Sequence, residues 1–94
     1  MRNLTVWKFV LPPSGPFTLF MPVGSQALRG IVLRDGNLIF YALVDPDAPK
    51  TPRHFLTLGT GEITKETGTF SYIGTGEPEP GLWFHVFEVI PSLR

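Results

Sequence analysis

Leu28-Arg29-Gly30-Ile31-Val32-Leu33-Arg34-Asp35-Gly36-Asn37-Leu38-Ile39-Phe40-Tyr41-Ala42-Leu43-Val44 is the stretch that decides the fold. Two apolar runs flank Asp35-Gly36, a dipeptide that tolerates positive φ and so favours a tight hairpin turn. With Asp35-Gly36 as a two-residue loop, Leu33 faces Leu38, Val32 faces Ile39 and Ile31 faces Phe40. The same register sets Gly30 against Tyr41 and Leu28 against Leu43; a three-residue loop would shift it by one. Both faces of the hairpin are apolar, so it sits centrally or in an interface.

Outward from the hairpin the pattern repeats. Leu4–Leu11, Phe17–Met21, Arg53–Gly59, Phe70–Gly74 and Leu82–Ile90 read as further strands, separated by proline and glycine clusters. Ile63–Thr67 reads as a single turn or a short connection. Asp45-Pro46-Asp47-Ala48-Pro49-Lys50-Thr51-Pro52 reads as a stiff polar loop, because each residue before a proline is pushed towards extended geometry. The chain of 94 residues holds ten glycines and ten prolines, and no longer window combines their absence with a helical apolar period. A helical bundle is thereby excluded. The expected fold is one all-β domain over residues 1–94, with six or seven mostly antiparallel strands in a sandwich or small barrel.

Composition narrows the function classes. Hydrophobic residues make up 43% of the chain and the formal net charge is zero, the opposite of a disordered composition. There is no cysteine, so disulfides, cysteine-zinc sites and thiol nucleophiles fall away. Two histidines, His54 and His85, supply at most half of a tetrahedral zinc shell, and no metal or cofactor is expected. The first residues lack the long apolar core of a signal peptide, and no apolar run approaches the ~20 residues of a membrane-spanning helix. Eight basic residues balance eight acidic ones, which argues against a general nucleic-acid binder. A chain this short buries only about 60% of its unfolded surface alone. Yet it carries eight phenylalanines, two tryptophans and two tyrosines. That surplus predicts a homo-oligomer that hides part of it between subunits.

Leu58-Gly59-Thr60-Gly61-Glu62 is echoed by Ile73-Gly74-Thr75-Gly76-Glu77. Each copy reads either as an anion nest, with glycine amides and a threonine hydroxyl aimed at phosphate oxygens, or as a glycine-rich strand exit. Arg53 opens a strand after the proline loop, as a phosphate clamp or as a solvated rim charge. Trp83 follows Gly81 at a strand start, where its ring can stack on a base. The expected ligand site therefore combines Arg53, Thr60, Gly61 and Trp83 where the 46–54 loop meets a strand exit, at a subunit boundary. His85, between Trp83 and Phe87, reads as a satisfied core histidine, and Asp45 and Asp47 as turn formers. No nucleophile elbow or HExxH motif occurs, so no catalytic residue is expected.

Trp7-Lys8-Phe9, Tyr41-Ala42-Leu43-Val44-Asp45-Pro46-Asp47-Ala48-Pro49, Gly59-Thr60-Gly61, Tyr72-Ile73-Gly74-Thr75 and Phe84-His85-Val86-Phe87-Glu88 resemble a family of small proteins with a domain of unknown function. That family occurs mostly in bacteriophages and prophages. The resemblance covers nearly the whole chain and is most specific from Ala42 to Pro49. It implies a phage context and the host cytoplasm, and it fixes no catalytic residue. In that context the expected activity is non-enzymatic binding. One form is a counter-defence sponge that sequesters a small anionic nucleotide signal between subunits. The alternative is a structural or protein-interaction role, as a virion accessory or an inhibitor of a host protein.

Overall fold

A computed structural model describes residues 3–91. Eight strands run through it: β1 (Thr5–Leu11), β2 (Gly15–Pro22), β3 (Gln26–Ala27), β4 (Val32–Arg34), β5 (Asn37–Val44), β6 (Lys50–Gly59), β7 (Thr69–Glu79) and β8 (Leu82–Ile90). They form two antiparallel sheets. In the first, β5 pairs with β1 on one side and with β3 and β4 on the other. The second has the order β2-β6-β8-β7. The architecture is an all-β sandwich, as the glycine and proline punctuation predicts.

Asp35 (φ 52°) and Gly36 (φ 78°) both turn left-handed, which makes the tight hairpin loop. Val32 then faces Ile39 and Leu33 faces Leu38, the register expected from a two-residue loop. Beyond Val32 that register fails. Leu43 faces Gln26 rather than Leu28, and Ala42 faces Ala27, so two extra residues are taken up between β3 and β4. Across 28–31 the regular ladder breaks: the Leu28 amide still donates to the Tyr41 carbonyl at 2.9 Å, but the Gly30 amide donates to the Ile73 carbonyl of the other sheet at 2.8 Å. One edge of the sandwich is thus tied by a hydrogen bond between layers. Counted as one interrupted strand, β3 and β4 bring the total to seven, within the six or seven expected from the sequence.

The core runs between the layers as a column of rings. Phe9 stacks on its cross-strand partner Phe40 at 5.3 Å, Phe40 meets Phe55 of the other sheet at 5.5 Å, and Phe55 stacks on its partner Phe17 at 5.6 Å. Leu11, Met21, Leu38, Val44, Ile73 and Val86 pack around them.

Two boundaries differ from the sequence reading. The polar loop ends at Pro49, and β6 already starts at Lys50. Pro52 is tolerated there because this part of β6 pairs with β2 alone; β8 joins only from His54. Asp45 does form the turn, accepting the Asp47 amide on its carboxylate at 3.0 Å. β7 does not stop at Gly74 but runs on to Glu79. A Cβ on Gly74 would lie 2.8 Å from Ile31 Cγ1 and 2.9 Å from the Ile31 amide nitrogen. Its glycine serves close packing of the two layers, not a strand exit.

Thr57 is fully buried on β6, and its hydroxyl has no hydrogen-bond partner among the described residues. An unpaired buried hydroxyl costs roughly 1–3 kcal/mol. Thr57→Val keeps the shape and removes the hydroxyl, so it is expected to raise stability by about 1 kcal/mol. Urea unfolding of the two proteins measures it, and a loss of stability would show that the hydroxyl is paired.

Candidate functional site

Three of the four residues expected at a ligand site come together, where β6 ends and β8 begins. Gly59, Thr60, Gly61 and Glu62 form a tight turn, with Gly61 at φ 86° and the Glu62 amide donating to the Gly59 carbonyl at 2.9 Å. The Thr60 amide donates to the Trp83 carbonyl at 3.1 Å, which brings the indole alongside. Trp83 is half-exposed and, with Thr60, Gly81 and Leu82, lines a shallow hollow of about 140 Å³.

Two of the amides around this hollow already have anionic partners. The Glu62 carboxylate accepts the Gly59 amide at 2.8 Å. The Glu77 carboxylate accepts the Gly81 amide at 2.8 Å. In both Gly-Thr-Gly-Glu copies the motif's own glutamate takes a nearby glycine amide, which is the position a phosphate oxygen would occupy in a nest.

Arg53 lies apart. It lies on the inner face of β6, seven residues from Thr60, or ~23 Å along the strand. The 46–54 segment and the Gly-Thr-Gly turn therefore sit at opposite ends of one strand and do not share a pocket within the chain. The Arg53 guanidinium holds Glu88 of β8 in a bidentate pair, both contacts 2.6 Å, and donates to the Ser25 carbonyl. Both side chains are mostly buried. Arg53 is neither a clamp awaiting phosphate nor a solvated rim charge. It ties β6 to β8 and to the β2–β3 turn. Arg53→Ala leaves Glu88 without its counter-charge and is expected to cost about 2 kcal/mol. A double-mutant cycle with Glu88→Ala measures the pair; a coupling near zero would contradict it.

His85 is satisfied but is not in the core. It points out from the second sheet, where Thr60 Oγ1 lies 2.7 Å from Nε2 and Thr75 Oγ1 lies 3.0 Å from Nδ1. Tyr72 extends the chain through its hydroxyl to Thr75. Phe87, two residues along the same face, packs against Tyr72 at 5.7 Å and Phe70 at 6.1 Å. Strand alternation in the sequence places Trp83, His85 and Phe87 together, but Tyr72 and Thr75 come from β7 by pairing and carry no local signal. A hydroxyl 2.7 Å from an imidazole is also the spacing of an activated nucleophile. The Gly59 and Thr60 amides beside it are already donated, however, and so do not face a developing oxyanion.

His54 stands elsewhere on the outer side, 3.1 Å from Thr18 Oγ1, in a groove of about 470 Å³ that also takes in Glu66 and Val89. No group of three or more His, Asp or Glu side chains able to hold a metal gathers among the described residues.

A family model described as Domain of unknown function (DUF7352) matches residues 2–93. The chain belongs to this family. No curated protein and no solved structure matches it. The match spans both sheets and the turn at Thr60. The family's description carries no activity.

Proposed function

We propose that the protein is a phage- or prophage-borne binding protein without catalytic activity, acting in the host cytoplasm as a homo-oligomer through its sheet faces. The phage setting rests on the sequence motifs, above all Ala42 to Pro49. The observation that carries the assembly is exposed apolar side chains on both sheets: Val6, Val10 and Val32 stand out from the first sheet, and Phe20, Phe70 and Tyr72 from the second. That favours a role as a structural or protein-interaction partner, such as a virion accessory or an inhibitor of a host protein.

Sequestration of a small anionic nucleotide is the second reading, and the half-exposed Trp83 beside Thr60 and Gly61 favours it. A hollow of about 140 Å³ falls short of the ~300 Å³ at which ligand sites begin, so a second subunit would complete it. Two carboxylates already hold the Gly59 and Gly81 amides beside it, which is why this reading ranks second. Incubation with a panel of cyclic dinucleotides and cyclic ADP-ribose isomers separates the readings. The mixture is then heated and assayed by mass spectrometry. The interaction reading predicts no depletion of any ligand. A ligand depleted and returned intact would establish the nucleotide reading instead, and an altered ligand would overturn the absence of catalysis.

A further inference from the structure

The outer face of the first sheet carries an apolar hollow of about 320 Å³, lined by Val6, Leu28, Ile31, Val32 and Tyr41, with Arg29 at its lip. Every lining residue belongs to the first sheet or to the 28–31 detour, so the chain does not fill the hollow itself. Lys8, opposite Tyr41 in the register, adds a second positive charge to this face.

The second layer holds a matching projection. Ile63 is 89% exposed on the connection between β6 and β7. The connection is held on both sides of it: Glu62 bonds back to Gly59 in both directions, and Thr64 Oγ1 accepts the Glu66 amide at 3.1 Å. A projection fixed in this way loses little conformational freedom on docking. Glu62 and Glu66, with Lys65 between Ile63 and Glu66, leave the connection with a net negative charge.

We propose that copies of the chain associate head to tail, Ile63 of one copy seating in the hollow lined by Val6, Val32 and Tyr41 on the next. The contact sets Glu62 and Glu66 against Arg29 and Lys8. A symmetric pairing of two first-sheet faces would instead bring the like charges of Arg29 and Lys8 together, which disfavours it. A heterologous contact repeats, closing into a ring if the rotation between copies allows and extending as a filament otherwise. This inference rests on the homo-oligomer reading and names the surfaces it uses.

Light scattering of four samples tests it: the unmodified protein, Ile63→Asp, Val6→Asp, and an equal mixture of the two variants. Both positions are exposed, and far-UV circular dichroism checks that each variant is folded. Val32→Asp replaces Val6→Asp if the latter does not fold. The unmodified protein is expected above the monomer mass of 10.5 kDa, and each variant alone at that mass. The mixture is expected to give a two-chain species, since one intact projection meets one intact hollow and the chain cannot grow further. The milder Ile63→Ala is expected to weaken association about tenfold or more. A variant that alone keeps the unmodified mass, or a mixture that stays monomeric, overturns the head-to-tail contact while leaving oligomerisation standing. A monomeric unmodified protein overturns both.

Discussion

Phe40→Ala is expected to lower the free energy of unfolding by about 3–5 kcal/mol, the largest effect of any single truncation in this chain. Phe40 is wholly buried and is the ring through which the two sheets meet. Its removal leaves a void between Phe9 and Phe55, which belong to different layers and cannot both close on it. Small domains have few kilocalories in reserve, so this variant sits near the limit of folding. Phe17→Ala, at the half-buried end of the same column, is expected to cost less. Urea unfolding of both variants checks the order. A loss below about 1 kcal/mol for Phe40→Ala would mean that the column does not hold the layers together.

Gly74→Ala is expected to cost about 2–3 kcal/mol through overpacking. The added Cβ would meet the Ile31 amide nitrogen at 2.9 Å and the Gly30 carbonyl carbon at 3.0 Å. These are backbone atoms of the detour whose amide bonds to Ile73, so relief requires the tie between the sheets to move. The nearest neighbours of a Cβ on Gly76 are side-chain atoms of Leu38, Leu33 and Ile31 rather than backbone, so Gly76→Ala is expected to cost less. Equal losses at the two positions would contradict this account of the second Gly-Thr-Gly segment. Gly59, in the first copy, has no such close neighbour, its nearest contact being 3.5 Å.

The hairpin was legible in the sequence because its turn is local: Asp35-Gly36 fixes both the loop and the pairs next to it. The detour at 28–31 was not, because a contact with Ile73, more than forty residues away, holds it. Strand alternation places Arg53 and His54 on opposite faces of β6, and they are. It cannot say which face is inner, since Phe55 and Leu56 are both apolar and both buried. Arg53 therefore reads as a rim cation until β8 supplies Glu88 from 35 residues along the chain. Thr60, Gly61 and Trp83 were legible as neighbours because each adjoins a glycine turn at a strand end. The carboxylates that occupy the nearby amides belong to the same short motifs, yet their return to the backbone depends on turn geometry alone.

The mass of the unmodified protein in solution tests the central claim most directly. Light scattering at micromolar concentration is expected to give at least two chains of 10.5 kDa each, since the exposed apolar side chains on both sheets call for a partner copy. A single species of 10.5 kDa across the micromolar range would contradict the account.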